Sequence, residues 1–98
     1  MEVKDFQNKI KEFASQWAKK RGFVNSEQEI FNHLVEEVGE LAREFVNRET
    51  RKDKYSEEEL NNAILDSMMQ LIKLASLRGL DIEEEALKII EKDQEFLK

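Results

Sequence analysis

The sequence predicts an all-α protein, an antiparallel bundle of about four helices completed by oligomerisation. Three observations carry that expectation. Apolar residues recur with a helical period along most of the chain, and no stretch shows the alternation between turn residues that marks a strand. Capping patterns and glycines cut the chain into four segments joined by short links, as an antiparallel bundle requires. With 98 residues the chain makes one domain, residues 1–98. That length is near the lower limit for a single core without disulfides or metals, so self-association is expected.

The first helix is expected over about residues 3 to 20, with Val3, Phe6, Ile10, Phe13 and Trp17 on one stripe. Its last turn is cationic, Lys19-Lys20-Arg21, and Gly22 is the stop. A second helix opens at Ser26, where Ser26-x-x-Glu29 has capping-box spacing, and carries Phe31, Leu34, Val35, Val38, Leu41, Ala42 and Phe45 to about Arg48. The charged run from Asn47 to Tyr55 has no stripe and reads as a surface loop. A third helix starts at Ser56, paired with Glu59, and runs to Gly79. It is apolar on most sides in its middle, the pattern of a helix enclosed by neighbours. The fourth is capped by Asp81, with Glu84 three residues on, and carries Ala86, Leu87, Ile89, Ile90 and Phe96.

Composition excludes several functions. Cysteine is absent, which rules out disulfides and thiolate zinc sites and suits a cytoplasmic setting. The N-terminus lacks a signal-peptide pattern and no apolar run reaches membrane-spanning length, so no membrane partner is expected. Acids outnumber bases by 22 to 16, a net charge of −6, without a basic stripe, which makes a nucleic-acid polymer a poor partner. A free nucleotide differs, because bound metal supplies the missing positive charge locally.

The candidate site is a set of carboxylates. At about 100° per residue, Glu37 and Glu40 lie about 60° apart on the second helix, and Glu37 borders the apolar stripe. Asp66 stands on a narrow polar slice of the third helix with Asn62, Gln70 and Lys73, flanked by apolar residues. Carboxylates enclosed in this way need compensation, and a divalent cation that prefers oxygen ligands provides it. Glutamate pairs at this spacing are also common on solvated faces of such charged helices, and Glu57 to Glu59 and Glu83 to Glu85 need no role beyond the helix dipole. Gly39, inside an otherwise strong helix, fits the close approach of a backbone or ligand. Trp17, Phe6 and Phe13 read as core residues before base-stacking ones, and His33 as structural or exposed.

The run Leu34-Val35-Glu36-Glu37-Val38-Gly39-Glu40-Leu41-Ala42 resembles the first signature of the MazG-like, all-α nucleoside triphosphate pyrophosphohydrolases. The stretch from Asp66 through Leu74-Ala75 to Gly79-Leu80-Asp81-Ile82-Glu83-Glu84 is similar to that family's following helix, turn and last helix. The resemblance implies Mg²⁺-dependent hydrolysis of a nucleoside triphosphate to monophosphate and pyrophosphate, with Mn²⁺ as a substitute metal. It implies metal ligands at Glu37, Glu40 and Asp66, a water-orienting or activating Glu36, and a homodimer or homotetramer with sites near subunit contacts. The second motif departs from the family pattern, because Ala63 stands where a glutamate is expected. Water, Glu59 or Asn62 would then complete the coordination. Near the C-terminus only Lys92 matches a nucleotide-contacting element, since Asp93 and Glu95 replace its Asn and Arg. The alternative is a catalytically impaired homologue that binds nucleotide or serves as an oligomeric interaction module.

Overall fold

Three of the four helices begin at a side-chain cap in the computed structural model, which describes residues 1–98 and is 82% helical with no strand. The helices are α1 (Val3–Arg21), α2 (Glu27–Thr50), α3 (Glu57–Leu77) and α4 (Ile82–Asp93), followed by a 3₁₀ turn over Gln94–Leu97. Ser26, Ser56 and Asp81 accept from the backbone N–H of Glu29, Glu59 and Glu84 at 3.1 to 3.2 Å, satisfying donors that each helix start leaves free. Gly22 closes α1 in the left-handed region at φ 75°, and its N–H donates to Ala18 O at 2.8 Å.

Helix α2 extends past the expected boundary. Residues 47 to 50, read from sequence as loop, are helical: Arg51 N–H donates to Asn47 O at 2.8 Å, and the Thr50 hydroxyl to Val46 O at 2.9 Å. Asn47 is buried, so the last turn has an inward residue that happens to be polar. Helix α4 is shorter than expected, and Phe96 lies beyond it in the 3₁₀ turn, 87% exposed.

Helices α2 and α3 form an antiparallel hairpin. At one end Glu27 pairs with Arg78 at 2.8 Å, and at the other Glu44 Oε1 accepts from Ser56 N–H at 3.0 Å. The enclosed residues recur every three or four positions: Ile30, Leu34, Glu37, Leu41, Glu44 and Asn47 on α2, and Leu60, Ala63, Ser67, Gln70 and Leu74 on α3. This is a coiled-coil seam in which half the α2 positions are polar. Helix α1 lies along α3 with the opposite sense, since Gln7 reaches Ser76 while Trp17 shares a cavity wall with Asp66.

The buried face of α1 keeps only Ile10 of the expected stripe. Gln7, Ile10, Ala14 and Ala18 are enclosed, whereas Phe6, Phe13 and Trp17 remain 40 to 52% exposed. The two alanines let the helix axes approach closely, and the aromatic stripe is left along the rim. Gln7 fastens the three-way junction: its Nε2 donates to Ser76 Oγ at 3.2 Å and Leu80 O at 2.7 Å, and its Oε1 accepts from Ile82 N–H at 3.0 Å. Nothing lies within 4 Å of a Cβ built on Gly39, so no backbone of this chain approaches it.

The bundle is open. Helix α4 leans mainly on α1 and adds no fourth side to the α1–α2–α3 core, and α3 is covered on two sides instead of all round. Only nine of 98 residues are buried. The radius of gyration is 16.4 Å, against about 13 Å for a compact chain of this length. Phe31, Val35, Val38 and Phe45 form an outer stripe on α2, and Ile64, Met68 and Leu71 one on α3. Each stripe lies about 100° from the seam, and because antiparallel helices reverse the sense of rotation, both fall on one flank. The flank opposite carries α1 and the carboxylates. No helix is long and apolar enough to cross a membrane.

Candidate functional site

Glu37 is the residue at which burial and negative charge meet. It occupies a seam position of α2 and is half-buried, and its Oε2 is enclosed with no hydrogen-bond partner. Burial, followed by the charges of Glu40 and Asp66, holds its carboxyl above the usual carboxylate range; Glu40 also lies within hydrogen-bonding reach, and Glu36 adds a weaker repulsion. None of the three carboxylates Glu37, Glu40 and Asp66 is in an ion pair, although Lys73 borders the same hollow as Glu37 and Asp66, and Arg43 the same hollow as Glu40.

Glu37 and Asp66 face each other across a cavity of about 220 Å³ whose other walls include Ile10, Phe13 and Trp17 of α1 and Met69 and Lys73 of α3. Helix α1 thus roofs the carboxylates. Asp66 is more exposed than its apolar flanks in the sequence suggested, because α1 covers it from one side only. Glu40 points into a neighbouring, wholly polar cavity of about 150 Å³ shared with Arg43, Glu44 and Glu59. The expected ligands are therefore divided between two adjoining hollows, with the Glu37–Glu40 contact between them. No three acidic or histidine side chains converge into a preassembled metal cluster.

The remaining expected residues fall as follows. Glu36 is exposed on α2 and borders neither hollow, Glu59 is on the Glu40 side, and Asn62 is exposed and lines no cavity. Ala63 is the most enclosed residue of the protein, 2% exposed in the α2–α3 seam. A glutamate at that position would point inward towards α2, as a ligand must, but the seam has closed around a methyl group. Lys92 is exposed on the last turn of α4 and lines no cavity with Glu37 or Asp66.

The donor set suits a hard cation. Glu37, Glu40 and Asp66 supply only carboxylate oxygens, and the partnerless Glu37 Oε2 is a buried acceptor that such a cation would satisfy.

A third hollow was not among the sequence expectations. A cavity of about 520 Å³ lies between the end of α1 and the start of α2, lined by Trp17, Arg21, Phe23, His33, Gln70 and Lys73 among others. It shares Trp17, Gln70 and Lys73 with the carboxylate cavity. The available signal was Lys73 standing seven residues after Asp66, on the same face of α3.

Compared with known proteins, the chain matches no family model, and no curated protein or solved structure matches it.

Proposed function

We propose that the protein is a Mg²⁺-dependent nucleoside triphosphate pyrophosphohydrolase acting as a homo-oligomer. The observation that carries the reading is Glu37: a half-buried carboxylate whose Oε2 lacks a partner, pressed by Glu40 and Asp66 and held in no ion pair. A bound cation would relieve such a group, in place of the proton that its raised pKa favours. Glu37 and Asp66 would hold it, with Glu40 one turn along α2, and substrate oxygens and water would stand in for the ligand that Ala63 does not provide. Mn²⁺ suits the same oxygen donors.

When bound, the metal would neutralise charge on the phosphate oxygens and lower the pKa of water. The chain's own groups do the rest. In the hydrolysis, the water oxygen bonds to the α phosphorus, the bridging oxygen leaves with pyrophosphate, and the proton of the water passes through solvent to Glu36, which is exposed next to Glu37 but outside the cavity. The walls of Phe13 and Trp17 keep bulk solvent from one side of the reacting phosphates.

Self-association belongs to the same reading. The chain exposes 7874 Å², about 2,000 Å² more than a compact monomer of its mass. That excess matches what each partner buries in an obligate homodimer, and the bare apolar flank of α2 and α3 is the surface able to bury it. A second copy placed there would complete a four-helix core from two hairpins and leave both carboxylate flanks facing outward.

The test is release of pyrophosphate from ribo- and deoxyribonucleoside triphosphates at high Mg²⁺ or Mn²⁺. Activity is expected, with Glu37→Gln and Asp66→Asn each abolishing it. No release from any common triphosphate would sink the reading. The burial of Ala63 and the divided carboxylates favour a second one, a nucleotide-binding homologue without turnover; nucleotide binding with no hydrolysis would select it.

A further inference from the structure

Lys73 has no acidic partner. Its ammonium is half-buried, and the one side-chain contact of its Nζ is a donation to Gln70 Oε1 at 3.3 Å. Burial lowers its pKa from the usual lysine value. A half-buried ammonium held in no ion pair is only partly compensated, and a bound anion would remove the remaining cost. Lys73 also stands where two hollows join, lining both the carboxylate cavity and the larger cavity beyond it. Asp66 and Lys73 are seven residues apart on one face of α3, two turns or about 10 Å, the scale of an oligophosphate chain.

The larger cavity is in the size range of small-ligand sites, about 300–1,000 Å³. It holds a second cation, Arg21, whose guanidinium lies 4.8 Å from the centre of the Trp17 ring. Phe13 stacks on Trp17 from the preceding turn, with ring centres 5.9 Å apart. With Phe13 one turn before it and Arg21 one turn after, the Trp17 ring is partly covered, which leaves less of it for a base. The hollow therefore suits phosphate better than a nucleobase.

We infer that Lys73, assisted by Arg21, binds the pyrophosphate portion of a nucleoside triphosphate in the cavity between α1 and the start of α2, beside the carboxylates of Glu37 and Asp66. This rests on the proposed function, naming the end of the substrate that this side of the site takes. Lys73 and Arg21 would face the leaving group, and with Glu29 as the one acid on that cavity's wall they leave it with a net positive lining.

The test uses inorganic pyrophosphate with Mg²⁺ as the probe, followed by calorimetry and by the fluorescence of Trp17, the sole tryptophan. Wild type should bind with a change in Trp17 emission. Lys73→Met should weaken binding roughly ten-fold or more, the loss expected of a charge-assisted contact. Lys73→Arg should restore most of the affinity, Arg21→Gln should lose less, and nucleoside monophosphate affinity should be unchanged in all three. Should Lys73→Met fail to fold, the Lys73→Arg and Arg21→Gln comparison decides the matter on folded protein. Unaltered pyrophosphate affinity in Lys73→Met, equal losses for monophosphate and pyrophosphate, or no binding by wild type would overturn the inference. Wild type that binds pyrophosphate at Lys73 yet hydrolyses no triphosphate would refute the enzymatic reading and leave this site standing. Hydrolysis with pyrophosphate binding indifferent to Lys73 would do the reverse.

Discussion

At the scale of single residues, Glu37 is in tension between folding and chemistry. Because folding raises the pKa of this carboxyl, the folded chain holds its proton more firmly than the unfolded chain does. The stability linked to that proton is fully present below the unfolded pKa and is lost as pH rises through the displaced one. Glu37→Gln removes the penalty that the ionised form incurs at neutral pH. It should raise the Tm at pH 7 to 8 by an amount that shrinks towards about pH 4, where the unfolded carboxyl also protonates. Added Mg²⁺ should raise the Tm of wild type and leave Glu37→Gln unmoved, since a ligand stabilises only the state that binds it. Thermal melts over this pH range, with and without Mg²⁺, measure both effects. A variant that melts lower than wild type at pH 8 would mean that Glu37 has a cationic partner in the folded chain.

At the scale of elements, the position of α1 decides whether there is a site at all. The helix roofs the carboxylates and walls the larger cavity, yet its own contact face is small, consisting of Ile10, Ala14, Ala18 and the Gln7 junction. Gln7→Ala would leave Leu80 O and Ile82 N–H without their partner and cut the tie from α1 to both α3 and α4. The expected cost is about 1–3 kcal/mol, read as a lower urea midpoint, together with weaker Mg²⁺-dependent stabilisation because the roof loosens. Loss of stability with no change in the metal response would separate α1 from the site.

At the scale of the whole molecule, surface is the dominant fact. A chain with nine buried residues, a radius of gyration of 16.4 Å and an apolar flank along two helices has most of its hydrophobic material unburied. The proposed association would bury that flank. Wild type should sediment at twice 11.6 kDa or a larger even multiple, with a Tm that rises with protein concentration. Val38→Glu, which puts a charge in the middle of the flank, should shift it to monomer. An 11.6 kDa wild-type species at micromolar concentration would refute the association.

Much of the local structure was legible in the sequence, since its causes are local. Three caps, the Gly22 stop, the four helices and the antiparallel α2–α3 pairing follow from residues a few positions apart and from short links. The carboxylates on α2 and α3 were legible as candidates for the same reason: helical spacing puts Glu37 next to the seam and Asp66 on the polar slice. Only the tertiary structure decided which side of α1 is buried, because alanines and aromatics both satisfy a helical stripe, and close packing against α3 favours the alanines. It also divided Glu37 and Asp66 from Glu40 and Glu59, enclosed Ala63, left Gly39 in open space and carried the helix through Asn47. Those outcomes depend on how far apart the helices sit and how each is rotated, quantities that no spacing along one chain contains.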